Sequence, residues 1–184
     1  MMEYLDLIKE VCLSHKSTNP IEIVREMMHR SLVHIHGPEH HLLDGAAFLC
    51  AMHNAGVEFD LTQALDEIAV RGAKMPGAIC GQWGVCGSSA SIGAALAIIH
   101  ETSPLSHNEF YKDNLRLTSR ALNQIAEIGG PRCCKRNAFL SLKTAIAFVK
   151  EKYEIDLEDE IVICEFSSQN KQCIKEQCPF YHQG

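Results

Sequence analysis

Apolar residues recur at helical spacing along most of the chain, and several runs carry their own start and stop signals. Asn19-Pro20-Ile21-Glu22 places a capping residue, a proline at the first helical position and a glutamate three places after the cap, ahead of Ile23, Val24, Met27, Met28 and Leu32. This predicts a helix over about 20–34. Pro38-Glu39 opens a second one, with Leu42, Leu43, Ala46, Leu49 and Cys50 apolar and Asn54-Ala55-Gly56 closing it. Asp60-Leu61-Thr62-Gln63 repeats the cap-plus-amide signature before Ala64, Leu65, Ile68 and Ala69, and Arg71-Gly72 ends that helix. The small apolar run Ala90 to Ile99 predicts a buried helix. Ser106 with Glu109 begins another that reaches Ile128 before Gly129-Gly130-Pro131. Phe139, Leu142, Ala145, Ile146 and Val149 mark the last. Only Ile161-Val162-Ile163-Cys164 reads as strand.

The expectation is therefore an all-α fold, a single compact multi-helix domain spanning residues 1–163. From Cys164 onward the apolar periodicity stops, and Cys, Gln, Lys and Ser take over. A tail of residues 164–184 with so little to bury needs a covalent or metal staple to pack on that domain.

Charge narrows the partners. The 184 residues carry 17 Lys and Arg against 23 Asp and Glu, a net charge of −6. Coating nucleic acid or an anionic membrane requires clustered positive charge, so neither is an expected partner. The acidic start, Met1-Met2-Glu3-Tyr4-Leu5-Asp6, lacks the basic end and apolar run of a secretory signal, and Ser88 to Ile99 falls short of the ~20 residues of a membrane span. A cytoplasmic protein is expected, where thiols stay reduced. The nine cysteines then point to metal ligation, an iron–sulfur cluster or thiol chemistry.

Seven of the cysteines lie beyond residue 79 in three stretches, while Cys12 and Cys50 sit in helical runs and read as packing. The tail presents Cys164, Cys173, Cys178 and His182, a C-x8-C-x4-C-x3-H pattern. Three thiolates and an imidazole complete a tetrahedral site for zinc or iron, and a thiol from elsewhere could replace His182. The spacing is similar to that of Cys-Cys-Cys-His zinc fingers that bind single-stranded RNA, Phe180 included.

The second stretch sets Cys80 and Cys86 around Trp83, among Gly77, Gly81, Gly84 and Gly87. Glycines there let backbone approach a cofactor closely, so Gly81, Trp83, Gly84 and Gly87 are candidate cofactor contacts. Cys86 precedes the small apolar helix, where the helix dipole favours a thiolate able to ligate a metal or attack an electrophile. In the third, Arg132, Lys135 and Arg136 flank Cys133 and Cys134. Those thiols could bind metal or form a vicinal disulfide, and the cations could hold a small anionic ligand. Finally, His36, His40 and His41 crowd one helix start, with His40 and Asp44 four apart on one face, the geometry of an oriented metal ligand or a general base.

Four blocks in order, His36-Gly37-Pro38-Glu39-His40-His41, Gly81-x-Trp83-Gly84-x-Cys86-Gly87, Gly130 to Arg136 with Cys133-Cys134, and Asn170-Lys171-Gln172-Cys173 with Cys178-Pro179-Phe180, resemble an uncharacterised prokaryotic family. It is a domain of unknown function common in anaerobes and methanogens. In some relatives a similar domain follows a region that uses S-adenosylmethionine for methyl transfer, which implies a methyltransferase or redox partner.

Three function classes follow. The first is a cytoplasmic metal- or iron–sulfur-binding protein of redox, sulfur or methyl-group metabolism, with Cys164, Cys173, Cys178 and His182 or one of Cys133 and Cys134 at a structural zinc site and Cys80, Cys86 and one of that pair at a second, reactive one, or with a single iron–sulfur cluster drawing on both sets; His36 is a further candidate ligand. The second is a thiol enzyme with Cys86 as nucleophile, His40 or His36 as base, Arg132 as anion clamp and a structural zinc. The third is a zinc-finger-like adaptor for RNA or protein.

Overall fold

A computed structural model describes residues 2–182, so Met1 and the last two residues of the predicted tail lie outside the described residues. The described residues form α1 (Met2–Ser14), α2 (Pro20–Met28), α3 (His40–Asn54), α4 (Leu61–Ala73), the single turn α5 (Ile79–Gln82), α6 (Gly87–Ile99), α7 (Glu109–Ile128) and α8 (Cys134–Tyr153), with two 3-10 turns, Ser167–Gln169 and Lys175–Gln177, in the tail. The fold is all-helical, as the periodicity predicts.

The capping signals act as read. Asn19 Oδ1 accepts from the Ile21 and Glu22 amides at 2.9 and 3.4 Å, and Asp60 Oδ1 accepts from Gln63 at 2.9 Å. For α7 the cap is Asn108, which accepts from Tyr111 at 3.2 Å, while Ser106 instead accepts from the Ser103 amide in the preceding turn. The helix from Pro20 is shorter than its apolar spacing suggests and ends at Met28. Beyond it, β-branched Val33 and Ile35 weaken helix formation, and the His34 amide donates to Glu39 Oε1 at 2.8 Å rather than to a helical carbonyl. Helix α1, which the sequence reading did not pick out, buries Leu7, Ile8, Val11 and Cys12.

The expected strand is absent among the described residues. Ile161 and Ile163 face outward and Val162 inward, so the alternation is present, but the segment's pairing reduces to one bond from the Cys164 amide to the Phe180 carbonyl at 2.7 Å. A strand without a ladder is extended coil.

Helix α3 is buried without interruption from His40 to Met52, with α1, α2, α4, α6 and α8 packed around it. Cys12 and Cys50 act as packing thiols here: Cys50 Sγ donates to the Cys12 carbonyl at 3.3 Å and so ties α1 to α3. Contact between α3 and α6 depends on Gly45. A Cβ there would meet Ser91 Oγ at 2.6 Å, the Ser91 carbonyl at 2.8 Å and Ile68 Cδ1 at 2.9 Å. The same approach lets the Gly45 amide donate to Ser91 Oγ at 2.9 Å. The tail folds back on this core through buried Phe166 and Phe180, the latter edge-on to Phe139 with ring centres 5.6 Å apart.

Gly45→Val should lower stability by roughly 1–3 kcal/mol through overpacking at the α3–α6 contact. Urea denaturation checks this, and an unchanged midpoint would contradict the close approach.

Candidate functional site

Adjacent thiols at the start of α8 face two different chambers. Cys133 caps the helix, its sulfur accepting from the Arg136 amide at 3.5 Å, and lines a cavity of about 20 Å³ together with Cys164, Cys173 and Cys178. Phe139, Phe166 and Phe180 form the cavity's apolar wall. Burial pushes the Cys133 and Cys164 thiols above their ordinary range, and the sulfurs of Cys178 and Cys173 add to the effect. Among the described residues, no three His, Cys, Asp or Glu side chains are already gathered as metal ligands would be. His182 is exposed and is not part of the cavity wall.

Cys134 lines the other chamber, a cavity of about 130 Å³ shared with His36, His40, Cys86, Arg132 and Asn137. Cys86 precedes the first turn of α6 and is 7% exposed, with its sulfur held by a hydrogen bond from Asn137 Nδ2 at 3.3 Å. Asn137 is held in turn by Arg136 Nε, which donates to its Oδ1 at 3.4 Å. Burial pushes the Cys134 thiol up to about 12, against the pull of a bond from the Gly37 amide. Ala78, in the same wall, takes the left-handed conformation at φ 63°, which costs a residue with a Cβ free energy and shapes the turn into α5. On the far side of Cys86 a second hollow of about 330 Å³ runs to the end of α7 and is lined by Gly81, Gly84 and Cys80.

Buried charge lies behind these walls. His40 and Asp44 are 1% and 0% exposed, with Nδ1 3.5 Å from Oδ1, and neither has a hydrogen-bond partner among the described residues. Lys135 is 1% exposed, and its Nζ stands 4.8 Å over the Phe166 ring without a hydrogen-bond partner. Burial pulls this ammonium down to about 8, against the opposing pull of the Asp44 and Glu39 carboxylates. One chain of contacts joins the chambers: His36 Nε2 donates to Asn170 Oδ1 at 3.0 Å, and Asn170 Nδ2 donates to Cys133 Sγ at 3.5 Å.

The candidates thus divide. Cys133, Cys164, Cys173 and Cys178 meet at the tail, whereas Cys86, Cys134, His36, His40, Arg132 and Gly87 meet at the second chamber, with Cys80 at its edge. Trp83 is 67% exposed and borders neither. Arg136 is committed to the Gly129 and Pro131 carbonyls at 2.7 and 3.1 Å, so of the three flanking cations only Arg132 is exposed.

The model of a family of unknown function, DUF5714, matches residues 8–181. The chain belongs to that family. No curated protein and no solved structure matches it. For this DUF5714 member, both chambers lie wholly within the matched span. No described helix is long and apolar enough to cross a membrane.

Asn137 and Asn170, which hold Cys86 and Cys133, were not among the candidates read from sequence. A neutral amide carries no compositional signal, and only its position beside a cysteine block could have drawn notice.

Asp44→Leu should lower stability, because it removes a carboxylate that favours the buried Lys135 ammonium. Adding Lys135→Met should recover part of the loss, a coupling of about 0.5–3 kcal/mol in a double-mutant cycle followed by urea denaturation. Strict additivity would mean that the two groups do not interact.

Proposed function

We propose that the chain is a cytoplasmic metal-binding protein whose tail closes on a single thiophilic ion, zinc or iron, through Cys133, Cys164, Cys173 and Cys178. The observation that carries this reading is the convergence of one thiol from the start of α8 and three from the tail on one cavity of about 20 Å³. That volume suits one ion, since a water needs roughly 10–15 Å³ of such space. The sulfurs ring the cavity without being gathered as ligands, and buried thiols that resist ionisation are what a divalent cation would convert to thiolates.

Charge balance supports the same reading. Four thiolates around a divalent ion leave two negative charges, and the buried Lys135 ammonium beside the cavity, without a hydrogen-bond partner, offsets part of that. The Asn170 and Arg136 bonds to Cys133 act as the outer partners that orient a metal ligand. All nine cysteines are free, which suits a reducing compartment.

A second reading, thiol chemistry at Cys86 with the metal purely structural, draws on the Asn137 bond that fixes its sulfur in a chamber shared with His40. Redox or methyl-group metabolism with a partner enzyme is compatible with either.

Protein purified anaerobically should carry close to one equivalent of zinc or iron and no acid-labile sulfide. Cys133→Ser and Cys173→Ser should weaken metal binding by at least about 10–100-fold, while His182→Ala leaves it unchanged. Metal-free protein, stoichiometric sulfide, or loss of the ion in His182→Ala would each overturn the assignment.

A further inference from the structure

Two thiols lie outside both chambers, and helix packing sets them against each other. Cys12 from α1 and Cys50 from α3 are buried, and both are free. Cys50 Sγ donates to the Cys12 carbonyl at 3.3 Å, and Cys12 Sγ donates to the Ala46 carbonyl, one turn before Cys50, at 3.6 Å. Each sulfur thus reaches across the contact to the other's helix. The two thiols also share a hydrogen bond, which pushes Cys12 above its ordinary range and holds Cys50 below it.

Asn54 keeps this pairing in register. Its Nδ2 donates to the His15 and Ser17 carbonyls at 3.1 and 2.9 Å, which pins the chain just after α1 to the end of α3. The same nitrogen donates to Cys50 Sγ at 3.6 Å. A donor on the sulfur favours the thiolate, so Cys50 is the better nucleophile of the two.

We infer that Cys12 and Cys50 are a latent disulfide, closed by a small hydroperoxide, that staples α1 to α3. Cys50 sulfur first attacks one peroxide oxygen: the O–O bond breaks, the other oxygen leaves as water with the thiol proton, and Cys50 becomes a sulfenic acid. Cys12 sulfur then attacks that sulfur, the S–S bond forms, the S–O bond breaks, and hydroxide takes the Cys12 proton as a second water. The peroxide is reduced and the two thiols are oxidised. Hydrogen peroxide is little larger than water, so a local opening of the N-terminal helix admits it. The inference does not depend on a metal in the tail.

The test exposes the full chain to hydrogen peroxide, maps its cysteines by mass spectrometry without reduction, and follows amide hydrogen exchange in α1. A linked Cys12–Cys50 peptide pair that dithiothreitol separates is expected, with exchange across α1 slowed at least about tenfold. Because the two residues lie 38 apart in sequence, the link closes a long loop and should also raise the urea midpoint. Cys12→Ser should lose both the link and the effect of peroxide on α1. Cys12 and Cys50 recovered reduced or oxidised without joining, a link that forms only in urea, or slowed α1 exchange that persists in Cys12→Ser would each overturn the inference.

Discussion

Everything in this structure is arranged around a helix with no exposed side. Once α3 is wrapped by five neighbours, each residue from His40 to Met52 must be apolar, small, or provided with a buried counterpart. Gly45 is the small residue that admits α6 to contact, while His40, His41 and Asp44 are the polar ones that need company. The starts of α3, α6 and α8 come together at one chamber; the segment before α3 brings histidines to it, those before α6 and α8 bring cysteines, and the remaining cysteines come from the tail beyond α8. The chemistry-bearing side chains are thus concentrated by helix packing.

The two chambers differ in character. The tail chamber is small, apolar-walled and sulfur-rich, with a buried ammonium alongside, suited to a compact cation wrapped in thiolates. The other is larger, with a more mixed wall edged by imidazoles, thiols and the Arg132 guanidinium. The His36–Asn170–Cys133 contacts mean that a tail held in place also holds one wall of the second chamber in place. The tail and the second chamber are therefore mechanically joined.

Much of the fold was readable because its signals are local. Asn19, Asp60 and the Gly129-Gly130-Pro131 stop each work through residues within a turn of themselves, and the helices they bound appear where expected. The helix end at Met28 was less legible, since it depends on Glu39 reaching back to the His34 amide. The Ile161 to Cys164 run shows the limit of pattern: its alternation is real, but a strand requires a neighbour, and the single Phe180 bond does not make one. At the site, cysteine spacing drew attention to Cys164, Cys173 and Cys178, and the structure sets Cys133 beside them on the wall of one cavity. Spacing does not carry the direction in which consecutive residues point. That is set by α8's first turn, which sends Cys133 and Cys134 to opposite chambers and buries Lys135, a residue that composition would assign to solvent.

That first turn makes the partition between the chambers a single peptide link, about 3.8 Å from one Cα to the next. Neither cysteine can shift along the chain without carrying its neighbour out of register. The two compartments therefore share one inheritance: an insertion or deletion in Arg132-Cys133-Cys134-Lys135 disables both at once, and neither can be remodelled while the other is kept.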